Sequence, residues 1–179
     1  MYKRQRDTLP FSQRFIHRLG VEGRAGYIFQ TNPFLEYSNH QYKAMKNAYA
    51  GHLKYSFQLR PHTVADQAYI GAYQGIGVGY FNFGNPEELG NPLAVYLFQG
   101  GRIAQFSPRI SLNYEWNFGA SFGWKPFDEV ENRYNKVIGS KINAYINTNF
   151  YLDYILSKEI DLTAGVDLTH FSNGNTRFP

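Results

Sequence analysis

Length, composition and charge bound the class of this protein. The chain has 179 residues, the size of one domain, and 18% of them are aromatic, which argues against a disordered or coiled-coil protein. Cysteine is absent, so a disulfide framework, a thiol nucleophile and a Cys-rich metal site are excluded. The formal net charge of +4 comes from dispersed basic residues, and this dispersion argues against a nucleic-acid partner.

Hydropathy excludes a helical membrane protein. No stretch of the sequence approaches the roughly 18 apolar residues that a transmembrane helix requires. The mean hydropathy is negative. A membrane β-barrel is still compatible with that value, because its strands alternate lipid-facing and lumen-facing residues and so average to a polar hydropathy.

The first segment, residues 1–20, is predicted to be an N-terminal basic arm that precedes a barrel domain spanning residues 21–179. The arm lacks the apolar run of a signal peptide. Its basic residues are Lys3, Arg4, Arg6, Arg14 and Arg18.

The clearest predicted strand covers residues 109–124. Apolar residues occupy its even positions from Ile110 to Trp124, and polar or small residues occupy the odd ones. A period of two indicates a strand with one apolar and one polar face. Globular strands usually run about 5–6 residues, so this length favours a strand that crosses a bilayer at a tilt. We expect the even-numbered side chains to face outward, toward lipid, and the odd-numbered ones to line the lumen.

The same analysis predicts seven strands along the chain. The glycines of the third strand, Gly71, Gly75, Gly77 and Gly79, share one face, which suits a crowded or strongly curved wall. Single-chain bacterial membrane barrels have an even number of antiparallel strands. The predicted fold class is therefore all-β, an antiparallel up-and-down membrane β-barrel with seven of eight strands present and incomplete at its C-terminus. The predicted strands are 23–30, 49–60, 70–81, 93–102, 109–124, 142–156 and 160–172.

Connection lengths predict the orientation of the barrel. Segments 32–48, 82–92 and 125–141 are long, whereas a tight hairpin turn is expected at Ser157-Lys158. Membrane barrels keep short turns in the periplasm and long loops outside the cell. The last strand would then run outward and end at the extracellular side.

Two polar residues, His170 and Ser172, continue the apolar face of that last strand. Facing lipid, each would cost on the order of 1–3 kcal/mol if unpaired, and such residues are functional candidates. Their side chains project in parallel, as a base and the hydroxyl nucleophile that it deprotonates require. A structural alternative stays open, because the Asn-Gly pair that follows Ser172 is also a strong turn signal.

No metal and no cofactor are expected. The spacing of the histidines does not suit a metal site. The carboxylates of Glu115, Asp153 and Asp167 fall on lumen-facing positions, where polar networks ordinarily fill a narrow barrel.

The final run, HFSNGNTRFP from His170 to Pro179, resembles the His-x-Ser-Asn signature of the outer-membrane lipid A deacylase family, also described as acyloxyacyl hydrolases. The likeness covers most of the chain from about Val21 onward. It implies a serine esterase of the bacterial outer membrane that acts on lipid A of lipopolysaccharide. In that reaction Ser172 attacks the ester carbonyl and His170 takes its proton. Asn173 and Gly174 are implied as candidates for holding the oxyanion.

The sequence departs from the family in one respect. The acidic residue that orients the histidine belongs downstream of the motif, beyond Pro179, so the triad is incomplete in this fragment, which we expect to be inactive. Glu115 and Asp167 are not assigned that role, because both are expected to point into the barrel. Two other functions stay open: a noncatalytic outer-membrane barrel, adhesive or structural, and a soluble lipid-binding barrel whose apolar face turns inward.

Overall fold

A computed structural model describes residues 15–60 and 71–173. It forms one antiparallel sheet of seven strands, each hydrogen-bonded to its neighbours in the chain. The all-β, up-and-down fold is therefore confirmed. The strands are β1 (Phe15–Tyr27), β2 (Asn47–Leu59), β3 (Tyr73–Asn82), β4 (Gly90–Ser107), β5 (Ile110–Trp124), β6 (Ile142–Ile155) and β7 (Asp161–Ser172), and a short helix, α1 (Pro33–Glu36), lies between β1 and β2.

Two strands are longer than their sequence patterns predict. β1 begins at Phe15, within the segment expected to be an arm, and residues 1–14 of that segment lie outside the described residues. β4 extends to Ser107. Its pattern indicates an earlier end because the register shifts between Arg102 and Ala104 and again before Ser107, and such bulges interrupt a period of two.

The sheet is curled and has an inner and an outer face, and the two faces carry different kinds of side chain. On the inner face, the Tyr73 hydroxyl of β3 meets the Tyr151 hydroxyl of β6 at 2.6 Å, a contact that spans the intervening strands. The odd-numbered residues of β5 from 111 to 117 are buried there. On the outer face, Phe118 is 55% exposed and Val166 is 74% exposed. The predicted facing of β5 and β7 is confirmed at these positions.

Trp124 is an exception, and its predicted outward orientation is wrong. The residue is 5% exposed, and its indole Nε1 donates to Ser121 Oγ at 2.8 Å. The preceding Gly123 has a φ of +89°, a left-handed conformation that suits glycine. This turn of the backbone ends the alternation, so Trp124 points inward.

Long connections gather at one end of the sheet, called the loop end here. Residues 28–46, 83–89 and 125–141 join successive strand pairs there. The connection after β3 is therefore shorter than the predicted segment 82–92. Their apolar side chains pack together into a loop core. That core consists of Phe34, Leu35, Met45, Leu89, Trp124 and Ile138.

The opposite end, called the turn end, carries the β4–β5 and β6–β7 turns. Ile155 pairs with Asp161, so residues 156–160 form the second turn. Within it, Ser157 Oγ accepts hydrogen bonds from the backbone N–H groups of Glu159 and Ile160, at 3.2 and 3.1 Å. The predicted hairpin is confirmed, although its turn is wider than the Ser157-Lys158 pair alone.

Aromatic rings fill the inner face toward the loop end. This interior cluster consists of Phe81, Ala94, Tyr96, Phe98 and Tyr145. The inward glycines of β3 make room for it: a Cβ on Gly75 would overlap the Phe98 ring, and one on Gly77 would overlap the Tyr96 ring. The predicted crowding at this strand is confirmed.

Candidate active site

Polar side chains on the inner face form a connected network toward the turn end. Lys54 of β2 pairs with Glu115 of β5, and the Tyr73 hydroxyl donates to Glu115 Oε2 at 2.9 Å. Lys54 also lies 3.5 Å from Glu22 Oε2. Glu115 is therefore engaged inside the curled sheet, as its position on the lumen-facing pattern predicts.

The network also joins the first strand to the last. Arg24 of β1 donates through Nη1 to Asp167 Oδ1 of β7 at 3.3 Å, and Arg18 lies 3.5 Å from Asp161. In the described part of the chain, β1 and β7 share no backbone pairing, and each is an edge strand of the sheet. Side chains therefore span the opening that the two edges leave.

Asp167 has further partners beneath the end of β7. Its Oδ1 accepts from Asn147 Nδ2 at 2.7 Å and from the Thr169 hydroxyl at 3.0 Å. Asn147 also donates to the Leu168 carbonyl at 3.2 Å. This carboxylate faces inward, away from His170, so the described structure does not bring it to the predicted base.

A cavity of about 1330 Å³ occupies the turn end of the inner face. Charged and hydroxyl groups border it, including Arg24, Lys54, Glu115, Tyr151 and Asp167. The cavity lining mixes charged, hydroxyl and apolar groups, whereas the interior cluster nearer the loops is mainly aromatic.

His170 and Ser172 lie on the outer face at the loop end of β7. Their backbone positions pair with Ile146 and Ala144 of β6, respectively. His170 is exposed and Ser172 is half-buried. Among the described residues, no hydrogen bond joins the His170 ring to the Ser172 hydroxyl, although both side chains project from one face of one strand.

The two oxyanion candidates follow the strand directly. Asn173 is half-buried and comes immediately after β7. Gly174 lies outside the described residues. The structure therefore describes His170, Ser172 and Asn173 of the predicted site.

Sequence reasoning missed Phe171, which lies between the two candidate residues. Its ring points inward and packs against both the loop core and the interior cluster. The preceding inward positions carry Thr163, Gly165, Asp167 and Thr169. A large aromatic residue that ends a polar face was the signal that could have revealed this anchor.

Side-chain amides tie together two of the connections at the loop end. Asn132 and Asn135 each donate through Nδ2 to the Glu88 carbonyl at 2.9 Å. Asn135 also donates to the Lys125 carbonyl at 2.8 Å, so the connection before β4 is tied to the connection before β6. Asn132 and Asn135 lie in an irregular connection, so the alternation of polar and apolar residues could not have predicted these bonds.

Comparison with known proteins gives no relative: no protein family, no characterised protein and no solved structure matches the chain. In the described residues, no helix has the length and apolar character of a membrane span. The same residues contain no group of three histidine or acidic side chains arranged to hold a metal ion.

Proposed function

We propose that the protein is an outer-membrane serine esterase that removes an acyl chain from lipid A of lipopolysaccharide. Ser172 is the nucleophile and His170 is its base. The observation that carries the proposal is the placement of both side chains on the outer, apolar face of β7, two residues apart. An ester group at the surface of a bilayer could reach a nucleophile on that face without leaving the lipid.

The composition of the outer face supports a membrane location. Aliphatic side chains such as Val21, Leu53 and Leu97 are more than half exposed across its middle. Exposed aromatic residues lie along the whole height of the sheet, for example Tyr49 near the loops, Phe118 in the middle and Phe106 near the turns. An outward-facing apolar band is typical of transmembrane barrels. The charged network at the turn end of the inner face argues against the alternative of a soluble barrel that holds lipid inside.

Strand direction supports a closed barrel of eight strands. In an up-and-down sheet of seven strands the two edge strands, β1 and β7, run in the same direction. One further strand, antiparallel to both, would pair their open edges and remove the aggregation hazard of such edges. In our proposal this closing strand also carries the carboxylate that orients His170. A residue opposite His170 on that strand would lie about 4.5–5.5 Å away between Cβ atoms.

The proposed reaction proceeds through an acyl-enzyme. Ser172 Oγ attacks the ester carbonyl carbon while His170 accepts the hydroxyl proton. The oxyanion accepts hydrogen bonds from donors of Asn173 and Gly174. Collapse breaks the bond to the leaving oxygen, which receives the proton from His170. Water then attacks the acyl group, again with His170 as base, and releases the free fatty acid and the Ser172 hydroxyl.

Substitution of the two residues tests the proposal in the full-length protein embedded in outer membrane. We expect Ser172→Ala and His170→Ala each to abolish fatty acid release, because a nucleophile and its base act as one unit. The measurement is the mass of lipid A before and after exposure to each variant. Heat-modifiable gel mobility shows that the barrel has formed, and strand-end truncation on the surface should cost within about 0.5 kcal/mol.

Two control variants remove the same kinds of group, a hydroxyl and an imidazole, from other positions on the outer face. Thr148→Ala removes an exposed hydroxyl from β6, opposite Leu168. His17→Ala removes a histidine from β1, where its ring contacts the Tyr55 hydroxyl at 2.8 Å. Both controls should retain the wild-type rate. Deacylation at the wild-type rate by Ser172→Ala would refute the esterase and favour a noncatalytic barrel.

A further inference from the structure

β7 buries little side-chain surface along most of its length. Its residues from Asp161 to Leu168 are exposed, and only Thr169 and the residues from Phe171 onward are partly buried. The strand has one paired edge in the described structure. A catalytic pair at the end of such a strand needs a separate anchor, because small displacements of reacting groups are costly to the rate.

Phe171 supplies the aromatic contacts at that end. Its ring centroid lies 4.9 Å from that of Trp124 and 5.1 Å from that of Phe81. It also lies 5.5 Å from the Tyr145 ring and 5.9 Å from the Phe83 ring. These rings come from β3, β5 and β6 and from the connection after β3, so Phe171 joins β7 to several elements at once.

The inward direction of Phe171 determines the outward direction of its neighbours. Successive side chains of a strand point to opposite faces, so burial of the Phe171 ring directs His170 and Ser172 outward. A slip of the pairing by one residue would reverse all three. The ring would then face the outside, and the candidate pair would face the aromatic interior.

We propose that Phe171 is a positioning residue for the His170–Ser172 pair. Its packing in the aromatic pocket fixes the backbone between the two side chains and so sets the angle at which the base meets the nucleophile. This inference rests on the proposed esterase function. Phe171 itself touches no substrate, because its ring is on the face opposite the two candidate catalytic residues.

The test compares Phe171→Ala, Phe171→Leu and Phe171→Tyr in the full-length protein in outer membrane, with lipid A as substrate. We expect Phe171→Ala to lower kcat roughly 100-fold, since a misplacement of about 1 Å has that effect, with KM unchanged. Phe171→Leu should give an intermediate loss. Phe171→Tyr keeps the aromatic ring at this partly buried position and should recover kcat to within about threefold, because the ring contacts are retained.

Phe98→Leu is the matched control for a general loss of packing. Phe98 is 4% exposed in the same interior cluster, but its ring contacts are with Tyr73, Tyr96 and the Lys54 ammonium. We expect this variant to keep the wild-type kcat. The rate at which an organophosphonate labels Ser172 gives a second measure, and it should fall in parallel with kcat only in the Phe171 series.

The outcomes separate the two proposals. A wild-type kcat in Phe171→Ala overturns the positioning role and leaves the esterase intact. So does a loss of kcat in Phe98→Leu as large as that in Phe171→Leu. If Phe171→Ala does not form a barrel, Phe171→Leu decides the question. A wild-type kcat and a wild-type labelling rate in that variant overturn the positioning role. An inactive wild-type protein refutes the esterase, and the positioning role with it.

Discussion

At the loop end of the sheet, aromatic rings and the apolar loop core fill the inner face, whereas at the turn end charged groups border a cavity. Trp124 belongs to the first region and Tyr151 to the second. Close packing makes an interior intolerant of lost volume, whereas the wall of an open cavity accommodates such a loss. The candidate active site therefore lies at the more tightly packed end, where the surrounding contacts can hold its geometry.

The largest expected effect comes from emptying the packed end. Trp124→Ala should lower the free energy of unfolding by about 3–5 kcal/mol, because it removes a buried indole and leaves a cavity. Tyr151→Ala at the turn end should cost less, about 1–2 kcal/mol, through loss of its hydroxyl contact with Tyr73. Urea titrations of the two variants in lipid vesicles provide the measurement. Equal losses would mean that the two ends do not differ in packing.

A smaller effect is expected from the charged network. Glu115→Gln removes the charge that faces Lys54 but leaves Glu22 3.5 Å from the Lys54 ammonium, so the expected loss is about 1–3 kcal/mol. The control is Asp153→Asn: its Oδ1 is buried without a hydrogen-bond partner in the described structure, so removal of the charge should not lower the free energy of unfolding. The same urea titration checks both. A loss in Glu115→Gln no larger than that of its control would show that the network adds no stability.

The smallest effect concerns one exposed turn in the loops. Asp128 Oδ1 accepts hydrogen bonds from the backbone N–H groups of Glu131 and Val130, and these bonds hold the pKa of Asp128 below its usual range. A depressed pKa means that the turn is stabilised above the ordinary aspartate range, and that this stabilisation is lost as pH falls through the lower, folded value.

Amide chemical shifts measured against pH check this prediction. The signals of Val130 and Glu131 should move at a pH below the ordinary aspartate range, and Asp128→Asn should remove that transition. Movement of these signals within the ordinary range would contradict the assignment. The loop core itself should be unaffected in either case, because Asp128 is fully exposed.

The sequence allowed much of the sheet to be predicted because alternation is a local property. The facing of Phe118 and Val166 follows from counting along one strand. The orientation of Trp124 does not, since it depends on a left-handed φ at Gly123. The loop core brings Phe34 next to Ile138 from distant parts of the chain, and irregular connections carry no period that would reveal such contacts.

For the candidate site, the pattern located His170 and Ser172 on the outward face but gave no reason for their stability there. That reason lies in Phe171 and the rings around it, which come from separate strands. Such tertiary contacts could be inferred only from the register of the whole sheet. The esterase activity itself stays a prediction until lipid A is assayed.

The inward glycines of β3 carry a consequence for the evolution of this protein. A Cβ on Gly79 would lie 2.6 Å from His52 Cε1, and a Cβ on Gly77 would lie 2.4 Å from Tyr96 Cζ. A mutation that enlarges one of these glycines would have to follow or accompany one that shrinks the opposing ring. These positions are therefore expected to vary in pairs among homologues, with small residues exchanged between strands and the total volume conserved.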